Sequence, residues 1–100
     1  MITTVHWSEE AKTDYASNIL YLLEKWTPKD VQEFVDKADN IIEIITSMPE
    51  AFPVSGYMDT RKALVCKQIS LYYTINKSKI NLVRFWNNMQ NPENLVNEHF

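Results

Sequence analysis

Two stretches of the chain carry apolar residues at helical spacing. Ser8 begins the first as an N-cap, and two glutamates follow in the first turn, where the helix dipole favours negative charge. Apolar residues then recur at helical intervals, which predicts a helix over Glu9–Lys25. Thr27 and the proline after it are a second start signal, and the next apolar stripe stops before Pro49, which predicts a helix over Pro28–Ser47. Because the linker between them is so short, the two helices should form an antiparallel hairpin.

The other periodic segments alternate in the manner of β-strands. One, Thr4–Trp7, precedes the helices, and three more follow them at Arg61–Lys67, Ile69–Ile75 and Ile80–Trp86. The expected fold class is α+β: an N-terminal strand, an antiparallel helical hairpin and a three-stranded antiparallel meander, all in a single domain covering residues 1–100.

The last strand is apolar on both sides of its two-residue period, which is typical of a central strand. In a regular strand, Arg84 and Trp86 lie on the same side as Ile80 and Leu82, and Phe85 lies on the opposite side. An arginine among apolar neighbours is then the unusual feature of this segment.

Composition excludes several classes of protein. The 100 residues contain one glycine, which rules out a glycine-rich phosphate loop, and no apolar run approaches the length of about 18 residues that a membrane span needs. The N-terminus does not resemble a signal peptide, and Cys66 is the sole cysteine, so a cytoplasmic location is expected. His6 and His99 lie at opposite ends of the chain without partners at metal-ligand spacing, so neither a metal nor a cofactor is predicted.

The charges are unevenly distributed. Residues 1–58 contain four lysines and ten acidic residues, whereas residues 59–100 contain six basic and three acidic residues. Arg61 and Lys67 share a face in a regular strand, with Lys62 opposite, and Arg84 joins them if it points away from the helices. Such a set favours phosphate or an acidic partner, with Trp86 available for stacking against a base. The alternative is a solvated sheet face whose charges discourage aggregation.

Five segments resemble the RelE/ParE superfamily of small bacterial toxins, in the same order along the chain. They are VHWSEEAK at 5–12, MPEAFPVS at 48–55, RKALV at 61–65, ISLYYTI at 69–75 and VRFWNNMQNP at 83–92. The resemblance implies a four-stranded, mostly antiparallel sheet with a helical hairpin. It also implies the toxin of a type II toxin–antitoxin pair, of the kind associated with plasmid stabilization and growth inhibition, that a cognate antitoxin neutralises.

The superfamily divides by target. RelE-like members cut mRNA in the ribosome with basic residues on the sheet, whereas ParE-like members inhibit DNA gyrase. By resemblance, Arg61 or Lys62 matches one nuclease position and Arg84 is a further candidate. The middle-strand arginine of the nucleases falls on Ser70 and the tail arginine on Met89.

The nuclease tail also carries a tyrosine that is missing here, with His99 and Phe100 the nearest terminal candidates. Since one lost transition-state charge partner typically costs about 2.7–4 kcal/mol, two losses argue against efficient phosphodiester cleavage.

The expected function is therefore a toxin that inhibits growth by binding a cellular target, ParE-like, with DNA gyrase as the candidate. The alternatives are a RelE-like ribosome-dependent mRNA endonuclease, with Arg61, Lys62 and Arg84 as its candidate catalytic residues, and a non-toxic interaction domain of the same fold. By resemblance, an antitoxin segment binds an apolar groove near Trp26, Phe34 and the sheet edge, and the antitoxin can assemble the toxin into an oligomer.

Overall fold

The protein is described here by a computed structural model that defines residues 4–88. Its elements, in chain order, are β1 (Thr4–Trp7), α1 (Glu9–Lys25), α2 (Pro28–Ser47), β2 (Arg61–Cys66), β3 (Ile69–Asn76) and β4 (Lys79–Asn87). The four strands of this region form one sheet in the order β1-β4-β3-β2, in which β1 is parallel to β4 and the other pairs are antiparallel. The predicted α+β fold is confirmed, and both helices have their predicted bounds.

Local capping explains where the helices begin. The Ser8 hydroxyl accepts a hydrogen bond from the Ala11 amide at 2.9 Å, which satisfies a donor in the first turn of α1. At α2, the Thr27 hydroxyl accepts from the Asp30 amide while the Asp30 carboxylate accepts from the Thr27 amide, so each residue caps the other. These hydrogen bonds with Thr27 lower the pKa of Asp30 below its ordinary value.

The two helices cover one face of the sheet. Their buried residues, with those of the strands, form the main core: Ala11, Leu22, Phe34, Ala38, Ile45, Ala63, Val65, Ile69, Leu71, Tyr73, Ile80, Leu82 and Phe85. On the opposite face, which we call the outer face, Tyr57, Tyr72 and Trp86 form a second cluster with Val83 packed against it.

A β-bulge in β4 makes the predicted alternation wrong beyond Leu82. Two consecutive residues of β3 pair with Leu82 and Arg84, so Val83 is an extra residue on β4. The bulge reverses the order of the sides: Phe85 joins Leu82 in the main core, whereas Arg84 and Trp86 lie on the outer face. The sequence does not reveal this change, because odd and even positions of the strand both carry apolar residues.

Side chains of α1 replace a strand along the second half of β4. β1 pairs only with the first half of β4, so the backbone beyond that point needs other partners. The Ser8 hydroxyl donates to the Val83 carbonyl at 2.8 Å, the Asp14 carboxylate accepts from the Phe85 amide at 3.1 Å, and the Asn18 amide donates to the Phe85 carbonyl at 3.0 Å. The first turns of α1 are thereby fixed against the sheet edge.

We expect Asn18→Ala to lower the free energy of unfolding by about 1–3 kcal/mol, because Asn18 is only 5% exposed and the Phe85 carbonyl loses its donor. Alanine favours helix more than asparagine does, so a lower free energy of unfolding cannot come from helix propensity. Urea denaturation measures the change, with Ser17→Ala at the exposed neighbouring position as the control. Equal stability of the two variants would contradict the proposed role of α1 at the sheet edge.

Candidate functional site

Arg84 forms a buried ion pair with Asp14 of α1. Its Nε lies 2.6 Å from Asp14 Oδ2 and its Nη2 lies 2.9 Å from Oδ1, so the contact is bidentate. The two side chains are 9% and 14% exposed. The guanidinium carbon also lies 5.1 Å from the centre of the Trp86 ring, within the range of a cation–π contact. Asp14 is a residue that sequence analysis missed, because the helix period places it among the polar residues of α1.

Three paired residues form a row across the outer face. Tyr72 of β3 pairs with Lys62 of β2 on one side and with Arg84 of β4 on the other. The Lys62 ammonium lies 5.9 Å from the centre of the Tyr72 ring, and the Tyr57 ring meets the same ring edge-on at 5.4 Å. Burial raises the pKa of Tyr72, so its hydroxyl is protonated at neutral pH and does not supply a general base there.

The structure does not bring Arg61 and Lys67 together with Arg84 on the outer face. Arg61 shares the helix side with Ala63, and its Nη1 donates to the Phe52 carbonyl at 2.7 Å, which ties down the loop after α2. Lys67 lies in the turn after β2, because a register shift precedes the end of that strand at Cys66. The basic residue that accompanies Arg84 on the outer face is Lys62.

Ser70, where the family resemblance predicts the position of a nuclease arginine, lies opposite Trp86 and is fully buried. Its hydroxyl accepts a hydrogen bond from the Asn88 side chain at 2.9 Å. Met89, at the other substituted position, and the terminal candidates His99 and Phe100 lie outside the described residues. The outer face therefore carries a buried hydroxyl where the family resemblance leads us to look for a cation.

A polar cleft of about 170 Å³ adjoins the ion pair, at the edge of β4 that β1 leaves uncovered. Its lining consists of Asp14, Ser17, Asn18, Arg84, Phe85, Trp86 and Asn87. The indole N–H of Trp86, one of these residues, is buried and has no hydrogen-bond partner among residues 4–88. In this cleft the Asp14 carboxylate lies directly against the Arg84 guanidinium. The negative charge weakens the attraction of the cleft for an anion.

The apolar groove predicted near Trp26 and Phe34 is present. It has a volume of about 150 Å³ and lies between the end of α1, the start of α2 and the turn between β2 and β3. Phe34 is buried at its base, whereas Trp26 is 48% exposed. Its lining residues are Leu22, Trp26, Asp30, Glu33, Phe34, Lys37, Cys66, Lys67 and Gln68. This is an apolar recess with charges of both signs along its rim.

Within residues 4–88, no three side chains of His, Cys, Asp or Glu converge in a manner that would hold a metal ion. Neither α1 nor α2 combines the length and apolar character needed to cross a bilayer.

In strand order and helical hairpin the chain has the fold of solved proteins from toxin–antitoxin systems, as the sequence resemblance predicts. A chain of the chromosomal ParDE toxin–antitoxin system from P. aeruginosa has a TM-score of 0.71 at 13% identity, covering 87% of this chain and 96% of that one. The YoeB dimer from Staphylococcus aureus has a TM-score of 0.60 at 15% identity, covering 86% and 97% of the two chains.

The E. coli DinJ–YafQ complex gives a TM-score of 0.58 at 11% identity, covering 89% of this chain and 96% of its counterpart. At these identities the likeness establishes the fold. No protein-family model and no curated protein sequence matches the chain.

We expect Asp14→Ala to lower the free energy of unfolding by about 3–5 kcal/mol, because it removes the carboxylate that holds both the Arg84 guanidinium and the Phe85 amide. Arg84→Ala should also destabilise, and the double variant should lose less than the two single losses combined. Urea denaturation of all four proteins measures this coupling. The control is Lys12→Ala, which breaks the exposed Glu9–Lys12 pair and should cost less than about 1 kcal/mol. Additive losses would show that the pair does not act as a unit.

Proposed function

We propose that this protein is the toxin of a type II toxin–antitoxin pair and that it inhibits growth by binding a protein target, as ParE-like members do. DNA gyrase is the first candidate target, and the cytoplasm is the expected location. Likeness in fold to solved toxins supports the general class.

The Asp14–Arg84 ion pair is the observation that favours binding over cleavage. A nuclease needs cationic groups that meet the charge developing on the scissile phosphate. Here a carboxylate oxygen lies 2.6 Å from Arg84 Nε, so an incoming phosphate meets a negative charge beside the guanidinium. Arg61 is directed to backbone carbonyls on the helix side of the sheet. Lys62, paired with Tyr72, is an exposed basic side chain on the outer face.

A RelE-like ribosome-dependent mRNA endonuclease is the second candidate. The row of Lys62, Tyr72 and Arg84 supports it, because two cations and an aromatic ring lie in line on the outer face with Trp86 beside them. Such an arrangement suits a phosphate chain with stacked bases. A non-toxic interaction domain of the same fold is the third candidate.

We predict that the purified protein inhibits supercoiling by gyrase and leaves mRNA on translating ribosomes intact. Cleavage of mRNA that disappears in Lys62→Ala would support the endonuclease instead, because exposed Lys62 can be replaced without disturbing the fold. Arg84→Ala is a weaker test on its own, since it also breaks the ion pair with Asp14. Normal growth of a bacterial host that expresses this chain without an antitoxin would contradict both toxin candidates.

We also propose that the apolar groove binds a segment of the cognate antitoxin. The groove has room for one large apolar side chain, and its exposed wall is Trp26, a residue type enriched at binding hot spots. Phe34 forms the buried base. Solved neighbours of this fold include the DinJ–YafQ and YoeB–YefM complexes, and assembly of the toxin through its antitoxin is consistent with this arrangement.

We expect Trp26→Ala to weaken binding of the proposed cognate antitoxin by about 30-fold or more, the effect typical of a hot-spot residue. The 48% exposure of Trp26 makes a loss of fold a minor concern. Isothermal titration calorimetry measures the affinity. The matched control is Leu20→Ala, which removes an exposed apolar side chain of α1 outside the groove and should bind as the unaltered protein does.

A further inference from the structure

One half of the outer face is as buried as the main core. Tyr72 is 7% exposed, Arg84 is 7% exposed and Trp86 is 4% exposed. These side chains belong to β3 and β4 and point away from both helices. The β2 half of the same face is open to solvent, since Leu64 is 56% exposed and Lys62 is exposed as well. Burial on the outer face is therefore confined to β3 and β4.

Neighbours within the sheet account for only part of this burial. Ser70 lies opposite Trp86, and the Arg84 guanidinium carbon lies 5.1 Å from the centre of the Trp86 ring. The Tyr57 ring, from the loop after α2, meets Tyr72 edge-on at 5.4 Å. Such neighbours contact a side chain from its flanks and leave its outer end to solvent. Because the Trp86 indole N–H is fully buried, a further layer has to lie over it, and both helices pack on the opposite face.

The cover belongs to this chain. The exposed fractions are those of the single chain, so whatever buries Trp86 is part of it. Outside the described range the chain has two segments, residues 1–3 and residues 89–100. The first segment precedes Thr4, which pairs with Lys79 at the start of β4, about 23 Å along the strand from Trp86. Three residues span at most about 11 Å, so this segment cannot provide the cover.

Residues 89–100 start at the right place and are long enough. The described chain ends at Asn88, whose side chain donates to the Ser70 hydroxyl at 2.9 Å. Ser70 is the residue opposite Trp86, so the segment begins beside the buried indole. Its twelve residues can span up to about 40 Å, whereas neighbouring strands lie about 5 Å apart. The segment can therefore cross both β3 and β4.

The chemistry of the segment also matches the outer face. Residues 89–100 contain two of the three acidic residues found after position 58 and neither lysine nor arginine. The outer face carries the cations Lys62 and Arg84, so the charges are complementary. Five side chains of the segment can cover aromatic rings: Met89, Pro92, Leu95, Val96 and Phe100.

We propose that the β3–β4 half of the outer face is a binding site for an apolar, acidic peptide segment, and that residues 89–100 of this chain occupy it. A partner that uses Tyr72 or Trp86 has to displace the segment first. The β2 half, with Lys62, stays open to a partner while the segment is bound. The inference stands on burial and chain geometry, independently of the proposed function.

The first test measures exchange of the three tryptophan indole protons with water by NMR, with one signal assigned from Trp86→Phe. The test variant of the full chain combines Met89→Ser, Leu95→Ser, Val96→Ser and Phe100→Ser. We expect its Trp86 indole proton to exchange at least about tenfold faster, because the apolar cover is lost. The Trp7 signal, from the helix side, should not change and shows that the main core is folded. The matched control combines Asn94→Ser and Asn97→Ser and should leave the Trp86 indole protected.

A second test locates the segment while its apolar residues are intact. A nitroxide label is attached at Asn97→Cys in a Cys66→Ser background, and its broadening of the same indole signals is measured. Because broadening falls steeply with distance, the Trp86 signal should lose the most intensity. The control label at Lys29→Cys, in the exposed first turn of α2, should instead broaden the signal of nearby Trp26 most.

Either of two results would overturn the inference. Unchanged exchange of the Trp86 indole proton in the serine variant, with the Trp7 signal retained, shows that another part of the chain provides the cover. Stronger broadening of Trp7 or Trp26 than of Trp86 by the label at position 97 places the segment elsewhere. If the serine variant loses the signals of the folded core, the label experiment alone decides.

Discussion

The docking of α1 against β4 is the constraint on which the rest of the structure depends. β1 is too short to pair with all of β4, so the exposed backbone of the central strand needs donors and acceptors from the helix. Asp14 supplies an acceptor to the Phe85 amide and the counter-charge of Arg84 with the same carboxylate. One side chain thus joins the helix, the sheet edge and the outer face. Because each of its contacts is partly buried, removing the carboxylate disturbs all three.

This constraint also shapes the functional surfaces. An arginine required to neutralise Asp14 is poorly placed to stabilise a phosphate, so the outer face has less cationic character than its residues suggest. The apolar groove is built from the helices and the turn between β2 and β3, whereas Lys62 and Trp86 lie on the opposite side of the sheet. A segment bound in the groove therefore leaves the outer face uncovered. If the protein is a toxin as proposed and its outer face contacts the target, an antitoxin bound in the groove would have to extend around the sheet or block the target by its bulk.

Sequence patterns predicted most of the fold because the signals are local. Caps at Ser8 and Thr27 and the apolar stripes determine the helix bounds, and turn residues determine the strands to within about one residue at each end. The site was less predictable because it depends on register. The extra residue Val83 cannot be recognised in the sequence, because odd and even positions of this strand both carry apolar residues. It nevertheless decides which face of the sheet Arg84 occupies. The partnership of Arg84 with Asp14, 70 residues away, has no local signal either.

Within residues 4–88, local preference and observed structure disagree at the buried Arg84 and at three non-glycine residues with positive φ angles, and the disagreements differ in kind. Arg84 is a buried cation, but a bidentate carboxylate and an aromatic ring compensate for its burial, so the fold itself explains it. Met58, Asp59 and Lys77 have φ angles of 44°, 57° and 57°, and the Thr60 hydroxyl and amide, both bonded to the Tyr57 carbonyl, hold the turn that contains Met58 and Asp59. An unfavourable burial that contacts within the fold compensate requires no function to explain it. The buried arginine is therefore accounted for within the fold and is not by itself evidence for a contact with another molecule.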